Sequence, residues 1–195
     1  KNIFKTVTSD MKEGSSSNLK IIELNVVEKP TGEISLGAGA GTTGATIGGG
    51  IKENNFMGKG IKLNTNVSLT KKGLKGSFSY EQPNFNYTDN SLLTSFTRQT
   101  KDNISDFGYK TGETTFALAT RFQQYDNLYF SPELLASYEE LETTSKASSS
   151  LKKQEGSYFD TYFNYSLDLD HRNQTYQPSD GTRYIFNQEL PIISE

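Results

Sequence analysis

The only histidine of the chain, His171, lies among charged residues that could assist acid–base chemistry or bind a metal. Asp168, Asp170 and Arg172 all lie within three positions of it. One imidazole without a second nitrogen or sulfur ligand makes a poor zinc site, and oxygen-only calcium loops need a ligand spacing that is absent. We therefore interpret His171 as a turn residue rather than as a catalytic or metal-binding one.

Other residue types that could do chemistry also lack the pattern that the chemistry needs. Glycine-rich segments at 37–41 and 48–50 could suggest phosphate binding, but neither is followed by the helix and the Lys-Ser/Thr pair of a phosphate loop. No Gly-x-Ser-x-Gly elbow accompanies the many serines, and cysteine is absent. The sequence predicts a protein that is not an enzyme and has neither a cofactor nor a metal site.

The composition suits a membrane β-barrel better than a conventional globular core. Hydrophobic residues make up 33% of the 195 residues, aromatic residues 12% and glycine 17 positions. An average soluble domain has about 45–50% apolar residues with glycine included. A barrel in a membrane tolerates the low mean hydropathy of -0.64, because its inward residues stay polar. The lysines are scattered and the net charge is -3, so nucleic acid is not a predicted partner.

No run of about 18 apolar residues exists that could form a transmembrane helix. The first residues lack the apolar stretch of a signal peptide, and we expect a mature or truncated product.

Alternation with a period of two residues is the dominant pattern. In 61–70 the apolar residues Ile61, Leu63, Val67 and Leu69 alternate with polar ones, and 74–81 and 158–170 repeat the pattern. Turn chemistry between such stretches gives about nine strands. They are predicted at 31–41, 44–53, 61–70, 74–82, 91–100, 108–122, 127–140, 156–170 and 183–190. Several approach the ~9–11 residues of a tilted membrane-crossing strand, whereas soluble strands average ~5–6.

The first part of the chain differs from this pattern. Segments 2–7 and 19–28 are strand-like and are separated by a Gly-Ser-Ser-Ser turn at 14–17. Pro30 suits a boundary, because proline cannot donate to a strand ladder. We predict that 1–29 is the end of a preceding domain and that 30–195 is the N-terminal part of a barrel.

Three turn motifs have an order and spacing that resemble one family. They occupy 54–60, 80–85 and 178–183, and each alone is more typical of a hairpin than of a functional site. The turn residues singled out are Asn55, Phe56, Gly58, Gly60, Pro83, Pro178, Asp180, Gly181 and Arg183. Segment 54–60 resembles the Asn-aromatic-Leu-Gly-x-Gly turn of the bacterial outer-membrane barrel assembly (BamA) proteins, with Met57 in place of leucine. Segment 178–183 resembles their Pro-x-x-Gly-x-Arg turn.

This resemblance implies a fold, a function and a location. The fold is an all-β, antiparallel transmembrane β-barrel, here a partial one of about nine N-terminal strands, preceded by the end of a POTRA domain. The function is that of an assembly factor that folds and inserts β-barrel proteins. The partners are unfolded outer-membrane β-barrel substrates, accessory lipoproteins of the assembly complex and the lipid bilayer. The location is the bacterial outer membrane, with the N-terminal segment in the periplasm.

The first predicted barrel strand is the candidate binding site. It is unusually rich in small residues, and interior glycines weaken a strand by roughly 0.5–1 kcal/mol each relative to alanine. By resemblance it would form a lateral gate and template incoming strands. Its residues are Glu33, Ile34, Ser35, Leu36, Gly37, Ala38, Gly39, Ala40 and Gly41. An alternative explanation of the glycines is relief of crowding against bulky inward residues.

Two other functions stay open on the sequence. One is a passive outer-membrane pore or adhesin-like barrel, and the other is a soluble β-sandwich surface protein whose apolar faces pack on one another. Aromatic residues near strand ends fit an interfacial girdle or simple packing at hairpin ends. They are Phe85, Tyr87, Tyr125, Tyr129 and Phe130.

Overall fold

A computed structural model describes residues 3–16, 18–41 and 44–194 of the chain. The predicted segments also include six residues that lie outside these ranges, namely Lys1, Asn2, Ser17, Thr42, Thr43 and Glu195. The strands are β1 (Phe4–Glu13), β2 (Lys20–Glu28), β3 (Gly32–Gly41), β4 (Gly44–Phe56), β5 (Ile61–Thr70), β6 (Gly73–Gln82), β7 (Ser91–Asn103), β8 (Tyr109–Tyr125), β9 (Leu128–Thr143), β10 (Gly156–Asp170) and β11 (Arg183–Ser194). Two short helices, α1 (Ile104–Phe107) and α2 (Ser149–Lys153), and a 3-10 turn (Phe85–Tyr87) lie between strands.

Nine strands form one antiparallel meander, which confirms the predicted all-β fold. Their order in the sheet is β11-β10-β9-β8-β7-β6-β5-β4-β3, so every strand pairs with its neighbours along the chain. Strands β3 and β11 are the two edges and do not pair with each other in the described part of the chain. Strands β1 and β2 form a separate two-stranded sheet.

Some strands have the predicted boundaries, and others run beyond them. Strand β5 occupies the predicted 61–70, whereas β7 runs on to Asn103, β8 to Tyr125 and β9 to Thr143. The added residues are largely polar on both faces, so the alternation that revealed the strands disappears there. Strand β11 passes through Pro191, which is tolerated because this strand is an edge.

The pairing register gives the sheet one polar and one apolar face, because residues opposite each other in a ladder share a face. A typical row of the polar face contains Ser35, Gly50, Asn66, Ser77, Thr97, Thr115, Ser137 and Asp160. The neighbouring row of the apolar face contains Ile34, Ile51, Thr65, Phe78, Phe96, Phe116, Ala136 and Thr161. Three phenylalanines thus lie side by side on adjacent strands.

The apolar face has no protein layer packed on it in the described structure. Ile61, Ala117 and Ala147 are the buried hydrophobic residues of the described chain, and of these only Ile61 lies on the apolar face, where Leu36 is 88% exposed. A soluble β-sandwich would cover such a face with a second sheet. The described strands therefore do not support the sandwich alternative.

The loops at the end of the sheet that holds α1 and α2 are tied together. The backbone amide of Asp102 donates to the carbonyl of Lys72 at 2.5 Å, and that of Thr144 donates to the carbonyl of Gly108 at 2.7 Å. The Lys72 ammonium also bonds the carboxylate of Asp106 in α1, which lowers the pKa of that carboxyl. The loop at 143–154, between β9 and β10, is thus hydrogen-bonded to Gly108, the residue that follows α1.

Candidate functional site

Strand β3 is an edge strand whose pairing partner in the described structure is β4. The two strands pair continuously from Gly32 opposite Glu53 to Gly41 opposite Gly44. On the far side of β3 the backbone amides and carbonyls have no strand beside them among the described residues. An edge of this kind is a template on which another strand can add.

The side chains of β3 leave this edge accessible. Ile34 and Leu36 are 77% and 88% exposed on the apolar face. Beyond Glu33, the polar face of the strand has Ser35 followed by Gly37, Gly39 and Gly41, so no long side chain stands over this part. Among the described strands β3 pairs only with β4.

The glycines of β3 and β4 have different surroundings. A Cβ built on Gly37, Gly39 or Gly41 would meet no atom within 4 Å. On β4, by contrast, a Cβ on Gly50 would lie 2.4 Å from Asn66 Oδ1 and 3.0 Å from the carbonyl oxygen of Thr65. Crowding explains the glycine of β4 but not those of β3, where the glycines lower strand propensity without relieving any contact.

The first turn motif forms a tight connection between β4 and β5. The side chain of Asn55 is buried and its Oδ1 accepts a hydrogen bond from the amide of Gly60 at 2.7 Å. The amide of Gly58 donates to the carbonyl of Asn55 at 2.9 Å. Gly58 and Gly60 have φ values of 69° and 67°, which glycine adopts without strain. The motif is therefore a structural turn, and Phe56 pairs with Ile61 beside it.

Arg183 of the third motif, 178–183, belongs to a network of ion pairs that the sequence analysis did not predict. Asp168 is 3% exposed on the polar face of β10. Arg183 donates to both of its carboxylate oxygens, each at 2.8 Å, and Arg121 of β8 donates to Oδ2 at 3.0 Å. The Arg121 guanidinium also stacks on Tyr129, 4.4 Å from the ring centroid. Strands β8, β10 and β11 are thus joined through one carboxylate, and β9 is linked to them through Tyr129. Tyr129 lies on the polar face of the sheet rather than in an outer girdle.

The loop before Arg183 is ordered by its own side chains. Asn173 Oδ1 accepts the amide of Ser179 at 3.2 Å, and Asp180 Oδ1 accepts the amide of Gly181 at 2.8 Å. A Cβ on Gly181 would lie 2.1 Å from the carbonyl oxygen of His171, so the turn requires glycine. Pro178 is exposed in the same loop, and Pro83 begins the turn after β6.

His171 takes part in this loop. Its Nδ1 is 3.5 Å from Asn127 Nδ2. The neighbouring Asp170 instead accepts Arg172 Nε and Nη2 at 2.8 and 2.7 Å, which raises the pKa of the Arg172 guanidinium. No group of three or more side chains suited to a metal is present among the described residues.

Comparison with known proteins identifies the family of this sheet. Residues 55–193 match the Omp85 superfamily domain, which is well over half of the chain. The chain belongs to the Omp85 superfamily. The predicted resemblance to outer-membrane barrel assembly proteins is thereby confirmed, as is the location in the bacterial outer membrane.

One solved structure with the same fold is BamA from Haemophilus ducreyi lacking POTRA domains 1-3. The match has a TM-score of 0.74 and 20% sequence identity, and it covers 98% of this chain. The chain spans 40% of the length of that structure. The nine-stranded sheet is accordingly a part of an Omp85 barrel wall.

Family membership assigns the two faces. In an outer-membrane barrel the apolar face contacts lipid and the polar face lines the interior. Within the described residues no helix is long and apolar enough to cross a membrane. The row containing Phe78, Phe96 and Phe116 belongs to the lipid-facing band.

Strands β7 to β9 extend beyond this band. On the lipid-facing side Arg98 bonds Glu140 at 2.8 Å and Thr114 at 2.6 Å. The pair crosses β8 at Gly112, where a Cβ would lie 2.9 Å from Arg98 Nη2. A charged pair at this height indicates that the strand ends project out of the apolar band.

Proposed function

We propose that this Omp85 barrel segment belongs to an assembly factor that folds and inserts β-barrel proteins into the outer membrane, with β3 as its lateral gate and template. The observation that supports the proposal most is the edge strand itself. Strand β3 has an unpaired side, exposed residues on its apolar face and glycines at Gly37, Gly39 and Gly41 that no crowding explains.

The energetics favour addition of an incoming strand to this edge. A backbone polar group without a partner costs several kcal/mol in the hydrocarbon region. A nascent strand that pairs with β3 while it inserts avoids that cost without any nucleotide or cofactor. Release requires a weak template, and each interior glycine lowers strand stability by roughly 0.5–1 kcal/mol relative to alanine.

The partners follow from this mechanism. The substrates are unfolded outer-membrane β-barrel proteins, accessory lipoproteins of the assembly complex are further partners, and the lipid bilayer surrounds the apolar face. Residues 1–29 would be the end of a periplasmic POTRA domain, and residues 30–195 the N-terminal part of the barrel. The BamA structure with the same fold lacks POTRA domains 1-3, so POTRA domains belong to the full-length form of that protein.

The isolated hairpin of β1 and β2 supports this division of the chain. One of its faces combines Val7, Met11, Ile22, Leu24 and Val26, which share a face by register. Val7, Met11 and Leu24 are 58%, 71% and 63% exposed. An apolar hairpin face of this size is typical of a fragment of a domain core.

The second candidate function is a passive pore, which the polar interior face would also suit. The two functions differ in whether β3 contacts a substrate strand. The absence of cysteine allows a direct test in the full-length parent, in which single cysteines are placed along 33–41 and crosslinked to cysteines in the last strand of a folding barrel substrate.

The expected result is a set of crosslinks at Ala38→Cys and Ala40→Cys that form only during assembly. Ala45→Cys is the matched control, because Ala45 pairs with Ala40 but lies on β4, inside the sheet. If no position from 33 to 41 crosslinks while the barrel is demonstrably folded, the passive pore is the better function.

A further inference from the structure

The base of β3 is fastened to β4 by side chains that no turn motif explains. Thr31, directly before β3, donates its hydroxyl to Glu53 Oε1, and the amide of Asn55 donates to the same oxygen at 2.7 Å. Asn54 Nδ2 donates to the carbonyl of Thr31 at 3.2 Å. The hydroxyl and the carbonyl oxygen of Thr31 are thus both hydrogen-bonded to residues at the end of β4.

Local backbone geometry places Glu53 for this contact. The register between β4 and β5 shifts between Glu53 and Phe56, so the last residues of β4 form a bulge. Glu53 pairs with Gly32, and a Cβ on Gly32 would lie 3.1 Å from Glu53 Oε2. The glycine therefore leaves room for the carboxylate to reach across to Thr31.

The same contact joins the hairpin to the barrel. The amide of Lys29 donates to the carbonyl of Ile3 at 3.2 Å and closes the hairpin one residue before Pro30. A cleft of about 520 Å³ separates the linker from the turns of the sheet, with Ile3, Pro30 and Pro83 among its walls. Within the described linker, Thr31 bridges this gap.

The far half of β3 has nothing comparable. A Cβ placed on Gly37, Gly39 or Gly41 would have no neighbour within 4 Å. The described part of the strand ends at Gly41 without a side-chain contact like that of Thr31. The near half also sets Glu33 opposite Lys52, a cross-strand pair of opposite charge.

We propose that Glu53 and Asn54 are positioning residues that hold the base of β3, so that the strand separates from β4 only over its glycine-rich half, 37–41. A change in the orientation of the β1–β2 hairpin is then transmitted to β3 through Thr31, because Thr31 is hydrogen-bonded to β4 and directly follows Pro30. The effect of this fastening on assembly rests on the proposed role of β3 as a gate. The hydrogen bonds between Thr31 and the end of β4 do not depend on that role.

Hydrogen exchange of the full-length parent in lipid nanodiscs, resolved to single amides of β3, tests the proposal. The amides bonded to β4 are expected to exchange slowly in 32–36 and faster in 37–41. Thr31→Val keeps the shape of the side chain and removes the hydroxyl, so exchange in 32–36 should accelerate about tenfold, the ratio for one lost bond to a charged acceptor. Glu53→Gln retains an acceptor oxygen but loses its charge, so it should accelerate exchange of the same amides by a smaller factor than Thr31→Val does.

Thr70→Val is the matched control, since it removes a hydroxyl that donates to the carbonyl of Gly73. This contact lies in the turn between β5 and β6, at the end of the strands away from Thr31. It should leave exchange in β3 unchanged. Uniform exchange along β3 in the parent, or no acceleration in Thr31→Val, would overturn the proposal. In an insertion assay, Thr31→Val should also extend substrate crosslinks toward residue 33. The expected exchange pattern without any crosslinks would preserve the fastening and reject the gate.

Discussion

The two edges of the nine-stranded sheet, at β3 and at β11, are built differently. At the β11 edge, Asp168 is enclosed and binds Arg121 and Arg183, so three strands share one ionic centre. At the β3 edge, the glycine-rich half of the strand has no neighbour to support it, and the side-chain hydrogen bonds to β4 come from Thr31 and Ser35 near its base. The comparison indicates one stiff region of the barrel wall and one compliant region. A wall of this kind can open at a chosen strand and stay intact elsewhere.

The largest effect is expected from the stiff end. Asp168→Ala removes the acceptor of two arginines and should destabilise the barrel of the full-length parent by about 2–3 kcal/mol, less than the ~3–5 of a fully buried pair because both arginines are partly exposed. Urea unfolding in lipid vesicles measures this change. Asp160→Ala, on the polar face of the same strand, is the control and should cost far less. Equal losses for the two variants would remove the distinction of the Asp168 centre.

A smaller loss is expected where glycine is required by contact. Gly50→Ala places a Cβ against the Asn66 side chain and the Thr65 carbonyl, so overpacking should cost about 1–3 kcal/mol. The same unfolding measurement applies. A neutral Gly50→Ala variant would show that β4 is as compliant as β3.

The opposite sign is expected on β3. A Cβ on Gly39 would meet no neighbour, and valine has a higher strand propensity than glycine, so Gly39→Val should stabilise the pairing with β4 by up to about 1 kcal/mol. If β3 must release to act, the same variant should insert substrates more slowly in reconstituted vesicles. Faster insertion together with higher stability would argue against a gate at this strand.

The smallest effect is expected outside the lipid-facing band. Arg98→Ala breaks the pair with Glu140, whose side chains are 36% and 37% exposed. Pairs of this exposure contribute about 0.2–1 kcal/mol and are screened by salt. Unfolding at two salt concentrations should show a small loss at low salt that shrinks at high salt. If Arg98→Ala lowered the free energy of unfolding as much as Asp168→Ala, the Arg98–Glu140 pair would lie in an apolar environment and not outside the lipid-facing band.

The strands could be predicted because the barrel repeats one physical rule. Every central strand alternates a lipid-facing and an interior residue, so 61–70 and 156–170 were identified with the bounds that β5 and β10 have. The ends of β7, β8 and β9 were missed because both of their faces are polar there. Helices α1 and α2 were missed because a single turn of helix leaves no periodic pattern.

The candidate site was predictable only in part. The family resemblance, supported by glycine enrichment, singled out 33–41 as the candidate strand. Whether a glycine relieves crowding depends on the neighbouring strand, as Gly50 and Gly39 illustrate. Arg183 was singled out from its turn motif, yet its partner Asp168 lies on another strand and Arg121 on a third. Single-sequence patterns contain no signal for such long-range pairs. The contact of Glu53 with Thr31 was missed for the same reason.

The most direct test of the account is the register of substrate pairing along β3. In the full-length parent, cysteines at residues 34, 36, 38 and 40 are each combined with a cysteine moved stepwise along the last strand of a barrel substrate. If β3 is the template, the crosslink maximum on β3 is expected to shift by two residues whenever the substrate cysteine shifts by two, as backbone pairing requires. Crosslinks that do not follow this register, or that form equally at Ala45→Cys, would contradict templating by the edge strand.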